Sequence, residues 1–416
     1  MICRHQAVAY LGVVLLSAGL QVPARAQSGG PPPVRIEVGF GLGALNRTTR
    51  YHAALQRAYA DGFRVIRVYE PFLRGDSGAI GPVVDKLRYL DSLGFRPYFD
   101  LSDFPHALAM PSGAATDFPA AKRDAVFRYS NRYPPASAKL DSLMTDLIGG
   151  FDRAFGRDKL RHWYFEFGNE PDASLYFWGS PDDFSRLLGV VEQRFRAYDP
   201  TLAVGGGAFT SGLVHNPGKS APYAGIARTI AADPAAFVSV HVYGSGQTGI
   251  DYGARINGLL GPPDGRLRVI SEWNVTEKTQ PAAAILSSPD AIGPYLIDML
   301  AGAADGGVRL VLVHKLMDDP GDPQLGLFDH QGQPKPAYDL VRRAAQMARR
   351  GFTVVRTGDG AVQLEGARQL WVEAGQAPVP VDAATYEVVA PAPGLQVIPP
   401  HGWALLRRRG ASDSSP

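Results

Sequence analysis

Short β-rich runs alternating with longer helical patterns predict an α/β protein, a (β/α)8 TIM barrel with a small C-terminal β domain, for this chain of 416 residues. Three observations carry the expectation. Eight β-rich runs can be counted before residue 350. The segments between them repeat apolar residues at helical spacing, and beyond residue 350 the pattern changes to short alternating runs.

The chain opens with Arg4 and His5, an apolar run from Ala7 to Leu20, and Ala24-Arg25-Ala26, an order that reads as a signal peptide over residues 1–26. The run is shorter than the roughly 20 residues of a membrane span. A secreted or periplasmic protein without a membrane anchor is therefore expected. Cys3, the sole cysteine, would leave with the leader, so neither disulfide nor thiol chemistry is expected afterwards. It lies upstream of the apolar run and not at the cleavage site, which argues against lipid attachment. Losing Arg4 and Arg25 brings the 42 basic residues to 40, level with the 40 acidic ones. A chain without a basic stripe offers no nucleic acid a partner surface.

After the Pro/Gly linker Gly29 to Pro33, the barrel is expected over residues 27–350. Its strands are expected at Arg35–Gly39, Val65–Tyr69, Arg96–Leu101, Trp163–Gly168, Leu202–Gly206, Val238–Tyr243, Arg268–Glu272 and Arg309–His314. Phe184, Leu187, Leu188, Val191, Phe195 and Tyr198 form one helical stripe, preceded by Ser180-Pro181-Asp182-Asp183 as N-cap, first-turn proline and dipole-facing acids. Leu140, Leu143, Leu147, Ile148 and Phe151 form another. Both stripes read as core faces. The helix Pro336–Arg349 is expected to close the barrel. Runs at Phe352–Val355, Gln369–Val372, Thr385–Val389, Leu395–Ile398 and Ala404–Leu406 then predict the β domain over residues 351–410, with a disordered tail at 411–416.

Catalytic residues in such barrels sit at the C-terminal ends of strands. Two of the eight ends stand out: the fourth strand runs into Asn169-Glu170-Pro171 and the seventh into Glu272-Trp273-Asn274. A lone glutamate at a strand end is ordinarily a loop carboxylate or a partner for arginine. A pair facing each other from strands four and seven is what a double displacement at a glycosidic bond requires. One carboxyl protonates the leaving oxygen while the other, ionised, attacks the anomeric carbon, and a separation of about 5–5.5 Å gives retention. Once the intermediate forms, the neighbour's charge disappears and the acid can act as base toward water.

Four segments in order resemble glycoside hydrolase clan A, and most closely its family 39. They are Phe99-Asp100-Leu101-Ser102-Asp103-Phe104-Pro105; Phe165-Glu166-Phe167-Gly168-Asn169-Glu170-Pro171-Asp172 with Phe177-Trp178; Phe237-Val238-Ser239-Val240-His241-Val242-Tyr243-Gly244; and Ser271-Glu272-Trp273-Asn274. Lys335-Pro336-Ala337-Tyr338 matches the start of the last barrel helix, and the resemblance covers about Ile36 to Arg349. It implies Glu170 as acid/base and Glu272 as nucleophile. Asn169 would bind the sugar 2-hydroxyl, Tyr243 and Arg67 would hold the nucleophile ionised, and His241 would line the subsite of the reacting sugar. Trp178 and Trp273 are candidates for stacking on substrate, although core packing is the default for a single tryptophan. Glu166 points the same way as Glu170 from a deeper position and is assigned a structural role.

The chain departs from the xylosidase pattern at two places. Arg67-Val68-Tyr69 has Tyr69 where a histidine is usual. The eighth strand reads Val313-His314-Lys315-Leu316-Met317-Asp318 where an aromatic platform is usual, and a lysine and an aspartate there could bind a carboxylate-bearing or more hydroxylated sugar. The resemblance implies an exo-acting β-glycosidase of the β-xylosidase type on a carbohydrate substrate. The alternatives are an endo-acting hydrolase of a bacterial exopolysaccharide and a non-catalytic glycan-binding barrel. No metal or cofactor is expected, and Gly205-Gly206-Gly207 reads as a loop turn and not a phosphate cradle.

Overall fold

The computed structural model describes residues 32–44, 51–69, 80–102, 134–174, 176–276, 279–318 and 324–411. Val65, Tyr98, Phe237, Val269, Leu310 and Leu312 are buried together inside a ring of strands, while a much larger apolar cluster fills the space between that ring and the surrounding helices. The ring comprises β1 (Glu37–Ala44), β2 (Val65–Tyr69), β3 (Arg96–Asp100), β4 (Tyr164–Phe167), β5 (Ala203–Phe209), β6 (Ala236–Tyr243), β7 (Arg268–Asn274) and β8 (Val308–Val313). Each strand pairs in parallel with the next, and β1 pairs with β8 to close the (β/α)8 barrel. Two apolar layers of this kind arise because every strand alternates its side chains between the two faces of the sheet.

The helical stripes lie on the outside of the barrel. Helix Ser137–Phe155 buries Leu140, Leu143, Leu147, Ile148 and Phe151, and helix Pro181–Tyr198 buries Phe184, Leu187, Leu188, Val191 and Phe195. Ser180 caps the second with a full capping box: its hydroxyl accepts from the Asp183 N–H while the Asp183 carboxylate accepts from the Ser180 N–H. Such a cap contributes about 1 kcal/mol. The last barrel helix spans Ala337–Arg350, with Pro336 as its N-cap.

Two strands run three or more residues past their expected ends, and glycine is the reason in both. β1 runs five residues past the expected end at Gly39, because Gly39 lies inside the strand against β2, where an added Cβ would come within 2.3 Å of the Val65 carbonyl oxygen. β5 extends to Phe209, so Gly205-Gly206-Gly207 is strand and not a loop turn. A Cβ on Gly205 would meet the Phe237 carbonyl at 2.0 Å, and one on Gly206 the Phe167 carbonyl at 2.2 Å. The barrel wall is too tight there for any side chain.

Residues 352–408 fold as a separate antiparallel unit built from β9 (Phe352–Arg356), β10 (Val362–Gly366), β11 (Gln369–Glu373), β12 (Val379–Pro380), β13 (Tyr386–Ala390), β14 (Val397–Ile398) and β15 (Trp403–Arg408). Five of these form a sheet in the order β13-β15-β11-β10-β9, and β12 pairs with β14. Trp403 anchors the unit to the barrel helix Pro289–Asp305. Its indole N–H donates to the Asp290 carbonyl at 2.7 Å, its ring stacks on Trp371, and Gly293 leaves the space it occupies. Residues 1–26 and 412–416 lie outside the described residues, as do Asp103, Phe104 and Pro105.

Candidate active site

Above the apolar plug, the inward-facing positions turn polar. Two residues beyond Val65, Tyr98 and Tyr164 come Arg67, Asp100 and Glu166, all buried. Arg67 is the hub. Its Nε donates to Glu166 (2.7 Å), its Nη1 to Glu272 (2.6 Å), and its Nη2 to both Asp100 (2.6 Å) and the Asn169 side-chain oxygen (3.0 Å). Tyr98 donates to the second oxygen of Glu166 at 2.8 Å, and Asp100 also accepts the Ser102 N–H at 2.9 Å. Burial works against the guanidinium charge, but the carboxylates of Glu166, Asp100 and Glu272 outweigh it and hold Arg67 well above its ordinary range. Losing one member of such a buried network leaves the others uncompensated, at a cost of roughly 3–5 kcal/mol.

Glu272 comes to the barrel mouth through an irregularity. Val269 faces the barrel interior, whereas Ile270 and Trp273 belong to the outer cluster, so simple alternation from Val269 would turn Glu272 outward. The register of β7 shifts against both β6 and β8 between Ile270 and Trp273, and this bulge brings Glu272 opposite His241. One oxygen of Glu272 accepts from Arg67 and the other from the Tyr243 hydroxyl at 2.6 Å. The imidazole Nδ1 atoms of His241 and His314 stand 3.6 and 3.7 Å from it. Burial pushes the carboxyl pKa up, but the charges of His241, His314 and Arg67 and the Tyr243 hydrogen bond win, and Glu272 is held far below the usual carboxylate range.

Glu170 is presented by a strained turn. Gly168 adopts φ +95° where a Cβ would strike Phe184, Glu170 itself adopts φ +49°, and its N–H donates to the Ala208 carbonyl at 3.0 Å. A non-glycine residue in this region costs on the order of 1–3 kcal/mol and recurs where function fixes the backbone. His241 donates from Nδ1 to Glu170 at 2.8 Å. One nitrogen 2.8 Å from a Glu170 oxygen and 3.6 Å from a Glu272 oxygen leaves those oxygens no more than 6.4 Å apart. Burial lowers the His241 pKa, Glu272 and Glu170 raise it, and the carboxylates prevail, so it lies above its ordinary value.

Glu170, Glu272, Asn169, His241, Tyr243 and Arg67 thus converge on one site. Trp273 does not join them: it is 1 % exposed in the outer apolar cluster, because the bulge that turns Glu272 inward leaves its neighbour pointing at the helices. That overturns the expectation of a substrate contact there. Trp178 is partly exposed on the loop after Glu170, its indole donating to the Ser174 carbonyl at 2.9 Å. Asp318 is also not a ligand for a charged sugar. It is buried, paired with Lys335 at 2.7 Å, and accepts the Gly326 N–H at 2.7 Å. Lys315 is buried as well. Asp100, Tyr98 and His314 are site residues that the sequence reading assigned no role. The first two follow the period-two pattern inward from the barrel wall, and that pattern was the signal available for them.

Beside Glu170 opens a cleft of about 800 Å³, lined by the loop after β4 (Asp172 to Ser174, Tyr176), the segment Thr210–Leu213 with His215, Lys219 and Ser220, and Ser245. Asp172 is taken up there by Thr210, accepting its N–H at 3.0 Å and its hydroxyl. Among the described residues no group of three or more His, Cys, Asp or Glu side chains is arranged to hold a metal ion, and no helix is long and apolar enough to cross a membrane.

Residues 80–252 match the family model described as glycosyl hydrolases family 39. The segment includes Asn169, Glu170, His241 and Tyr243 but neither Arg67 nor Glu272. A β-xylosidase of Caldicellulosiruptor saccharolyticus is 32 % identical over 123 residues, 29 % of this chain and 23 % of that protein. A β-xylosidase of Geobacillus stearothermophilus is 29 % identical over 192 residues, 40 % of this chain and 36 % of that protein. The matches therefore span well under half of these curated relatives. In fold, the chain is similar to a family 39 β-xylosidase of Caulobacter crescentus (TM-score 0.63, 15 % identity, 91 % of this chain and 97 % of that one). It is also similar to a family 39 enzyme of Xanthomonas axonopodis pv. citri (TM-score 0.60, 18 % identity, 88 % and 75 %).

Proposed function

From a chain that is family 39-like within glycoside hydrolase clan A, we propose a retaining, exo-acting β-glycosidase of the β-xylosidase type. The observation that carries the proposal is the shared contact of His241 with Glu170 and Glu272, which brings one oxygen of each carboxylate to within at most 6.4 Å of the other and so supports the closer of the two spacings known for such pairs. Retaining enzymes hold their carboxyls about 5–5.5 Å apart, whereas inverting ones leave about 6.5–9.5 Å for a water. The two groups have different environments and hence different work. Glu272, with both oxygens engaged and the charge of Arg67 beside it, is an ionised nucleophile that attacks the anomeric carbon. Glu170 gives its proton to the departing oxygen, then takes one from the water that hydrolyses the glycosyl ester on Glu272.

The surrounding residues hold this pair in place. Arg67 fixes the Asn169 side-chain oxygen, which leaves the amide N–H groups to donate to the sugar 2-hydroxyl. Asp100, Glu166 and Tyr98 pin Arg67 from behind and act as positioning residues. The leader-like residues 1–26 support export as part of the same reading. Hydrolysis of a panel of aryl β-glycosides tests it: the β-xyloside should be cleaved fastest, releasing single xylose units. A panel left intact, or one on which another sugar is preferred, counts against the proposed substrate.

A further inference from the structure

We propose that the cleft beside Glu170 is a leaving-group subsite for an aglycone that carries a carboxylate, held by Lys219 with Arg255 behind it. The inference rests on the proposed role of Glu170, since the leaving group must lie on the side of the residue that protonates it. The cleft is lined by Glu170 but not by Glu272, and at about 800 Å³ it has room for more than one sugar ring.

Its cations have no carboxylate partners among the described residues. The carboxylates lining it are Glu170, committed to His241 and to the reaction, and Asp172, whose two oxygens are occupied by Thr210. Against these stands Lys219, exposed on the short turn Pro217–Ser220, with no carboxylate within ion-pair distance among the described residues. His215, also in the lining, meets the Tyr243 carbonyl at 3.3 Å and faces the Arg255 guanidinium with its other nitrogen. Burial and the Arg255 charge keep that imidazole below its ordinary pKa, so at neutral pH the cation behind it is Arg255 alone. Arg255 likewise has no carboxylate partner among the described residues. The hydroxyls of Ser174, Thr210, Ser220 and Ser245 and the phenol of Tyr176 supply the polar surface a glycan uses, and the two cations select the acidic one.

The test measures binding by calorimetry to two hydrolysis-resistant S-linked aryl β-xylosides that differ only in the aryl substituent, a carboxymethyl group or the neutral carboxamide. The carboxylate probe should bind about fivefold more tightly at low salt, with the difference shrinking at 0.5 M salt to about twofold or less. Lys219→Ala should bring the two affinities together, and Arg255→Ala should narrow the gap. Equal affinities in the unmutated protein, including no measurable affinity for either probe, overturn the proposal, as does a preference that survives both substitutions. The glycosidase reading fails separately, if the O-linked counterparts of both probes are left intact.

Discussion

Glu272 carries the largest burden of any single residue, because Arg67, Tyr243, His241 and His314 all converge on its carboxylate. Glu272→Ala should lower turnover by about 10³-fold or more, with azide restoring cleavage of activated aryl glycosides to the inverted azide. Glu170→Ala should spare good leaving groups and give the retained azide. Tyr243→Phe removes one hydrogen bond to a charged group and should lower kcat/KM by about 10- to 100-fold. The pH dependence of stability follows from two shifts of opposite sign. The depressed pKa of Glu272 contributes stability above the ordinary carboxylate range, lost only as pH falls through its lower folded value. The raised pKa of His241 contributes stability that is complete below about pH 6.5 and lost as pH rises through its folded value. The urea midpoint of the unmutated protein should therefore exceed that of His241→Gln most clearly below about pH 6 and by less as pH rises beyond it. A gap that widens with rising pH would contradict the assignment.

At the scale of elements, eight strands and the two long helices were legible because period-two and period-3.6 apolar patterns are imposed by burial on one face. The strand ends were not, where glycine reads as a turn but serves as the one residue that fits between close backbones. Gly206 shows this: at φ +146°, with a Cβ position 2.2 Å from the Phe167 carbonyl, Gly206→Ala should cost at least about 3 kcal/mol in urea unfolding. The same limit applies to β7. A sequence shows Glu272 at a strand end but not the bulge that turns it inward and its neighbour Trp273 outward, since a bulge depends on the register of the flanking strands. The cluster of Arg67, Asp100 and Glu166 was half visible as alternation, and its mutual pairing required three strands to be placed side by side.

On the scale of the whole molecule, the barrel and the C-terminal sheet share one apolar cluster in which Trp371, Trp403 and Leu405 are continuous with the barrel helices. Trp403→Ala empties the space over Gly293 and removes the hydrogen bond to Asp290, and it should destabilise the protein by about 3–5 kcal/mol in denaturant unfolding. The sheet thus buttresses, from outside the barrel, the helix Pro289–Asp305 that packs on β8. The account's central claim is that Glu170 and Glu272 work as a double-displacement pair, and the most direct test is the anomer of the first product. In proton NMR of an aryl β-xyloside being hydrolysed, β-xylose should appear first and only later equilibrate with the α form. Initial release of α-xylose would contradict the nucleophilic role of Glu272.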